Sequence, residues 1–497
     1  MKYRTTNKKN LNIIPAFVMG SLSWLLMSCA STTGRTHDNK AFVYPQSWQT
    51  IQVAKANDAI NSNENWITVF NDPQLYILVD KAIEHNRILK TQRIALELAE
   101  QKAIVSGASR LPTLTLNQGN SRRKTVTDTS SQYRNNADVE LELSLELDIW
   151  GKLSDQQSEA TLNFAAAKST FEHQKITLIA NVARSWFDVI EAQALLNLYQ
   201  ERASNLTSNL EMIQSSYRLG LNEALDVYLT QNDVSRESAR VAEQQQLLLM
   251  KNRQLELLIG EYPDGEFSSQ KGFPSLNKSV SFGAPAQLLT QRHDILTAWY
   301  QLLALDAGLA VAHKQRFPKI SLIARSGDSS DELQNLLDGG SLAWSLIGNL
   351  TLPLFDAGRL ESLEKQARLA VEQQEQYYLN DIYQAFADVE NNIANNMALN
   401  KRHQHLTLAG QNALTAEKLS FEQYIRGLVS YTTVLESQRR AFDAQNSLIQ
   451  LTNQILQNRI ALYVSLGGSP LTTPSNESST NNTKITSTFV NNQQVNQ

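Results

Sequence analysis

Only one of the 497 residues is a cysteine, Cys29. A disulfide framework or a zinc site of clustered cysteines is thereby excluded. No glycine-rich loop ends in Lys-Ser or Lys-Thr, so a phosphate-binding loop is missing. The seven histidines (His37, His85, His173, His293, His313, His403 and His405) form no zinc-protease spacing. His403 and His405, two apart on a helix, do not share a face. These absences argue against an enzyme and against a bound cofactor. Charge of one sign is lacking too. Lys and Arg number 45 against 49 Asp and Glu, a net charge of −4, so nothing points to a basic nucleic-acid surface. The one long apolar run lies at the N-terminus, and mean hydropathy is −0.34. A polytopic helical membrane protein is excluded. A β-barrel is not, because its strands alternate and keep hydropathy low.

The N-terminus has the grammar of a targeting segment. Lys2, Arg4, Lys8 and Lys9 precede an apolar stretch from Leu11 to Leu26 that is short for a membrane span. Leu26-Met27-Ser28-Cys29 then resembles the bacterial lipoprotein box. That reading makes residues 1–28 a signal peptide and 29–65 a lipidated segment, with a covalent lipid on Cys29. Ala30, rather than Asp, follows the cysteine, which favours the outer membrane. The plainer alternative is an ordinary signal peptide with a chance cysteine.

The rest of the chain repeats itself. Gly151 and Gly358, Gly220 and Gly427, and Gly260 and Gly467 are each 207 residues apart, and Pro112 and Pro318 are 206 apart. Such self-similarity marks a duplication, here with repeats at 66–261 and 286–470 joined by a linker at 262–285. Each copy reads as helix, two strands, a very long helix, a tight turn and a helix. The first helix spans about Asp72 to Ser109 and ends before Pro112. Proline and glycine are absent for 68 residues from Lys152 to Leu219, and from Arg359 to Arg426 proline is absent again and Gly410 is the one glycine. Each run would make a helix of roughly 100 Å. Their apolar positions (Leu178, Val182, Trp186, Val189 and Leu196; Tyr378, Ile382, Phe386, Val389, Ile393 and Met397) form narrow seams, as in coiled coils. Residues 471–497 are almost all polar and read as a disordered tail.

Strands are expected around Thr113–Asn117 and Val139–Asp148. In the second, Val139, Leu141, Leu143, Leu145 and Leu147 alternate with Glu140, Glu142, Ser144, Glu146 and Asp148. Leu342, Trp344, Leu346, Leu350, Leu352 and Leu354 alternate likewise in the second copy. Stretches of about ten residues match a membrane-spanning strand. Leucine then faces lipid, and Glu140, Glu142, Glu146 and Asp148 face a watery lumen. Four strands cannot close a barrel, and open edges are not tolerated in hydrocarbon. Strands must therefore be pooled between chains; two would give eight and three twelve, and the crowded charge leans towards the wider lumen.

Several motifs resemble TolC-like outer-membrane efflux factors. They are Trp66-Ile67-Thr68-Val69-Phe70-Asn71-Asp72-Pro73-Gln74-Leu75, Leu145-Glu146-Leu147-Asp148-Ile149-Trp150-Gly151-Lys152-Leu153, and Leu352-Pro353-Leu354-Phe355-Asp356-Ala357-Gly358-Arg359-Leu360. Arg292-His293-Asp294-Ile295 is similar to the usual start of the second repeat, with His for Pro. Together with Cys29 the pattern is most similar to the lipoprotein branch serving tripartite pumps. The resemblance implies a mixed α/β membrane protein and a homotrimer. Each repeat would give one β-hairpin to a 12-stranded outer-membrane β-barrel, and long helices to a periplasmic 12-helix α-barrel. Its partners would be outer-membrane lipid, a periplasmic adaptor and an inner-membrane pump. The turns at Gly220 and Gly427, with Arg218, Leu221, Arg426 and Leu428, become candidates for adaptor docking. Glu436, Asp226 and Thr433 become candidates for a periplasmic gate, in which threefold neighbours of Glu436 would raise one another's pKa. Arg439 and Arg440 are expected to pair with acids of a neighbouring helix. The rival readings are a duct for type I protein secretion and a periplasmic coiled-coil lipoprotein without a pore.

Overall fold

The structure, a computed structural model, describes residues 48–51, 59–60, 66–221, 223–267, 272–275, 279–280, 285–331 and 342–468. Cys29, the expected signal peptide and the polar tail at 471–497 lie outside the described residues, as do most of 29–65 and parts of 262–285. The main elements of the first copy are α1 (Pro73–His85), α2 (Arg87–Ala108), β1 (Thr113–Thr127), β2 (Ser130–Leu147), α3 (Lys152–Arg218) and α4 (Ala224–Ile259). Those of the second are α5 (His293–Lys314), β3 (Lys319–Ser330), β4 (Ala343–Thr351), α6 (Arg359–Ile425) and α7 (Tyr431–Ser465). By contacts the chain divides into two compact units. Among the described residues one draws on 101–162 and 302–373, and the other on 48–100, 163–301 and 374–468.

The first unit is built on a four-stranded antiparallel sheet in the order β1-β2-β3-β4. The two hairpins have one register. Thr113 opposite Ser144 in the first becomes Lys319 opposite Thr351 in the second, a move of 206 on one strand and 207 on the other. No bulge interrupts the ladders, so alternation holds across all four strands and Leu114, Leu116, Leu141, Leu143, Leu322 and Leu346 share a face. The first hairpin is longer than expected, because β2 begins at Ser130 rather than near Val139. Beyond Val139 the strand loses its alternation of apolar and polar residues, yet the backbone ladder continues to a two-residue turn, Asp128–Thr129. Both helix starts after the strands are capped by an aspartate. Asp148 accepts from Leu153 N and Ser154 N at 2.8 Å, and Asp356 accepts from Gly358 N at 3.1 Å and Leu360 N at 2.9 Å.

In the second unit the Trp66–Leu75 motif is core. Trp66 stacks on Tyr463 with centroids 5.9 Å apart, and Phe70 meets Phe187 at 5.0 Å. Asp72 caps α1 through Gln74 N at 3.0 Å and accepts from buried Trp186 Nε1 at 2.7 Å. The expected single helix from Asp72 to Ser109 breaks at Asn86. The Asn86 carbonyl oxygen Oδ1 caps Leu89 N while its amide donates to Leu258 O, both at 2.9 Å. The expected seam on α3 is buried, as is that on α6 as far as Ile393. Met397 is half-exposed and Leu399 is buried in its place, because a straight helix drifts away from a strict seven-residue repeat. Among the described residues one helix, α5, is long and apolar enough to cross a membrane by length and composition.

Candidate functional site

On the sheet, the face opposite the leucines is a mosaic of paired charges rather than a wall of free acid. Arg325 of β3 lies 2.8 Å from Glu142 and 3.5 Å from Glu140. Glu146 holds Lys152 at 2.5 Å and Lys319 at 2.9 Å. Lys152 begins α3, and the other two cations come from the second repeat's first strand, where Lys319, Ser321, Ile323 and Arg325 alternate with Ile320, Leu322 and Ala324. That pattern was available in the sequence, but only the register of β2 against β3 places Arg325 opposite Glu142. Asp148 is a correction. It stands one residue beyond β2, and its carboxylate is taken up by the first turn of α3, including Ser154 Oγ at 2.6 Å. It is a helix cap, not a strand residue facing a lumen.

The two helical turns are copies of each other. At the first, Gly220 N donates to Tyr217 O at 2.9 Å and Leu221 N to Ser216 O at 2.9 Å; at the second, Gly427 N donates to Tyr424 O at 2.8 Å and Leu428 N to Gln423 O at 2.9 Å. Both glycines are left-handed, with φ of 75° and 71°, as this pattern of helix ending requires. Leu221 and Leu428 stand exposed, as do Leu219, Ile425, Arg218 and Arg426. Arg218 folds back on its own helix, donating to Gln214 O at 3.3 Å. Leu225 and Tyr228, early in α4, are exposed beside these turns and were not singled out from sequence.

The gate candidates are not brought together within one chain. Glu436 bonds neither Asp226 nor Thr433 among the described residues. Thr433 contacts Ser430 at the start of α7, and the Asp226 carboxyl is pushed up by partial burial and then by nearby Glu223. Arg439 and Arg440 correct the expectation made for them. Both pair with Glu436 itself, at 2.8 Å each, one turn along the same helix, and Arg439 also reaches Asp443 at 3.2 Å. Spacings of three and four bring such groups together on one helix face. Hydrogen bonds from Arg439 first, and then Arg440, hold the Glu436 carboxyl at about 2. The sequence reading also missed a network above the turns. Glu237, only 2% exposed, lies 3.3 Å from Arg202 and 3.5 Å from Arg240, and the Arg202 guanidinium sits 4.1 Å over the Phe442 ring. These groups and Glu436 line a cavity of about 680 Å³. Tyr431 closes the core at the second turn with Ile213 and Val434, and burial pushes its hydroxyl up to about 12. A charged residue facing inward from a helix is hidden in a sequence whose seams are narrow and whose other faces are polar.

Known proteins resemble this chain over most of its length. The family model described as outer membrane efflux protein matches residues 78–261 and 284–468. The probable outer membrane lipoprotein SilC of Salmonella typhimurium is 29% identical over 428 residues, 82% of this chain and 89% of that protein. The solvent efflux pump outer membrane protein SrpC of Pseudomonas putida is 30% identical over 405 residues, 80% of this chain and 86% of that one. A solved structure of CusC superposes with a TM-score of 0.77 at 25% identity, covering 86% of this chain and 97% of CusC. The CmeC outer membrane channel of Campylobacter jejuni shares the fold, with a TM-score of 0.81 at 21% identity, covering 90% of this chain and 96% of CmeC. With both repeats matched, the chain belongs to the outer membrane efflux protein family and is an outer-membrane component of an efflux pump.

Proposed function

We propose that three copies of this chain form a passive exit duct, a 12-stranded barrel continued by a tube of 12 helices, docked to a periplasmic adaptor and an inner-membrane pump. The observation that carries this reading is the sheet itself. β1 and β4 have no partner on their outer edges among the described residues, and one face of the sheet is leucine. Each unpaired backbone group costs several kcal/mol in hydrocarbon, so the edges must meet those of other copies. Within the chain, β2 pairs β3 with Leu145 opposite Leu322 and Leu141 opposite Ser326. Moving β2 forward by 207 and β3 back by 206 gives the seam between copies, with Leu352 opposite Leu116 and Gly348 opposite Asn120. This seam keeps every leucine on one face, which a one-residue slip would not.

Energy comes from the pump, and the chain catalyses nothing. Exposed Leu221 and Leu428, with Gly220, Gly427, Arg218 and Arg426, meet the adaptor. Glu436 rings the aperture, with Thr433 and Asp226 nearby, and lipid on Cys29 holds each copy at the membrane. The test is oxidative cross-linking of purified full-length G348C/N120C, with mass and single-channel conductance measured on the same sample. Covalent trimers that conduct are expected, with little cross-linking in the slipped pair G348C/S121C. A monomeric, non-conducting product refutes the duct; efficient cross-linking of the slipped pair refutes the register.

A further inference from the structure

On the leucine face, the distal end of the first hairpin changes character. From Leu147 to Val139 that face of β2 is apolar, a run of about 27 Å along the strand, or about 20 Å of height at the tilt of a barrel strand. Register then carries the same face outward to Arg122 and Lys124 on β1 and to Tyr133 on β2, with Lys124 directly opposite Tyr133. Arg122 Cζ lies 4.9 Å and Lys124 Nζ 5.4 Å from the centre of the Tyr133 ring. Two cations thus grip one exposed aromatic ring. Neither has a carboxylate partner among the described residues, and both are exposed. The turn Asp128–Thr129 lies at the end of the hairpin away from the helices, which is the outer side for a chain whose helices enter the periplasm. Arg122 and Lys124 then stand about 10 and 15 Å above Val139, facing outward rather than into the lumen. A tyrosine just beyond an apolar band is what a membrane interface favours.

Resting on the duct reading, we propose that Arg122, Lys124 and Tyr133 form a binding surface for the phosphorylated inner sugars of an outer-leaflet glycolipid of the lipopolysaccharide class. Charge complementarity selects this occupant. Arginine matches phosphate oxygens with two parallel donors and lysine adds a point charge, while the tyrosine ring offers a flat face to a sugar. The opposite face carries its own pair, Arg123 directly across from Arg134, which looks into the mouth of the duct and serves as the control.

The test compares wild type, R122Q/K124Q and R123Q/R134Q, all full length and purified in detergent. Each is stripped of native lipid and offered rough lipopolysaccharide with a phosphorylated inner core, or the same glycolipid after dephosphorylation. The glycolipid retained at about 0.15 M salt is measured by native mass spectrometry, with oligomer mass and conductance on the same samples. Wild type should retain the phosphorylated form about thirtyfold more strongly than R122Q/K124Q, and R123Q/R134Q should retain it within about twofold of wild type. Should the double variant not assemble, R122Q and K124Q singly are each expected to lose about fivefold. Equal retention by wild type and the outward-facing variants, or equal retention of the dephosphorylated glycolipid, overturns the site while conductance leaves the duct standing. A monomeric, non-conducting wild type overturns the duct reading instead, and the outward face with it.

Discussion

At the scale of single residues, two kinds of glycine do different work. Gly260 ends α4 with φ of 78°, and an added Cβ would lie 2.7 Å from the His85 carbonyl oxygen. Gly467 ends the second copy in the same way, at 3.0 Å from Gln291. Gly220 and Gly427 are equally left-handed but meet nothing within 4 Å. G220A should therefore cost only the conformational strain, about 1 kcal/mol. G260A adds a backbone clash and should cost about 2–4 kcal/mol; denaturant unfolding of the two variants checks the order. Glu436 supports a prediction of a different kind. Its carboxyl is depressed to about 2 from an ordinary value of 4.5 by Arg439 and Arg440. The contribution of those pairs is complete above the ordinary value and is lost as pH falls towards 2. On the proposal that Glu436 rings the aperture, cation selectivity should thus persist from pH 7 to pH 4 in planar bilayers, and E436Q with loss of Arg439 and Arg440 should raise conductance. An unchanged conductance and selectivity in that variant would remove Glu436 from the gate.

At the scale of elements, the sheet depends on parity. All three ladders run without a bulge, so one residue gained or lost in β4 exchanges its faces. Deleting Asn349 turns Trp344 and Leu346 onto the face that carries Arg325 and Glu142. The expected outcome is loss of the assembled oligomer on size exclusion, with far-ultraviolet dichroism still dominated by α3, α4, α6 and α7. The helix pairs show how far sequence reading reaches. The proline-free runs, the first of them also free of glycine and the second broken only by Gly410, located α3 and α6 to within a residue or two at each end. The break at Asn86 was not legible, because it needs Leu258 O, 172 positions away, as the acceptor for the Asn86 amide. Its counterpart uses another chemistry, Arg292 Nη1 donating to Ser465 O at 3.4 Å. Equivalent positions share a task and not a residue type, which hides the correspondence from a comparison of letters.

At the scale of the whole molecule, lipid attachment and strand pooling are physically separable. Lipid chains add about 0.8 kcal/mol per buried CH₂, whereas the proposed barrel would be held by strand seams. On the proposed reading the wild-type N-terminus carries acyl mass, and C29A should lack it while keeping oligomer mass and conductance. Mass spectrometry of the mature chain and planar-bilayer recording check the two halves independently. Survival of acyl mass in C29A would place the lipid elsewhere.

The duplication, the helical runs, the alternating strands and the turn glycines were determined by the sequence alone, because each depends on periodicity or on a backbone geometry that one residue type serves best. Which charges meet was decided by the tertiary structure. Arg325 against Glu142, Lys319 against Glu146, Arg202 against Glu237, and the diversion of Asp148 into a helix cap all depend on strand register and helix packing. Charged side chains are interchangeable in a pattern but not in space: their partners are chosen by distances of a few ångströms between segments far apart in the chain, and no local periodicity carries that information.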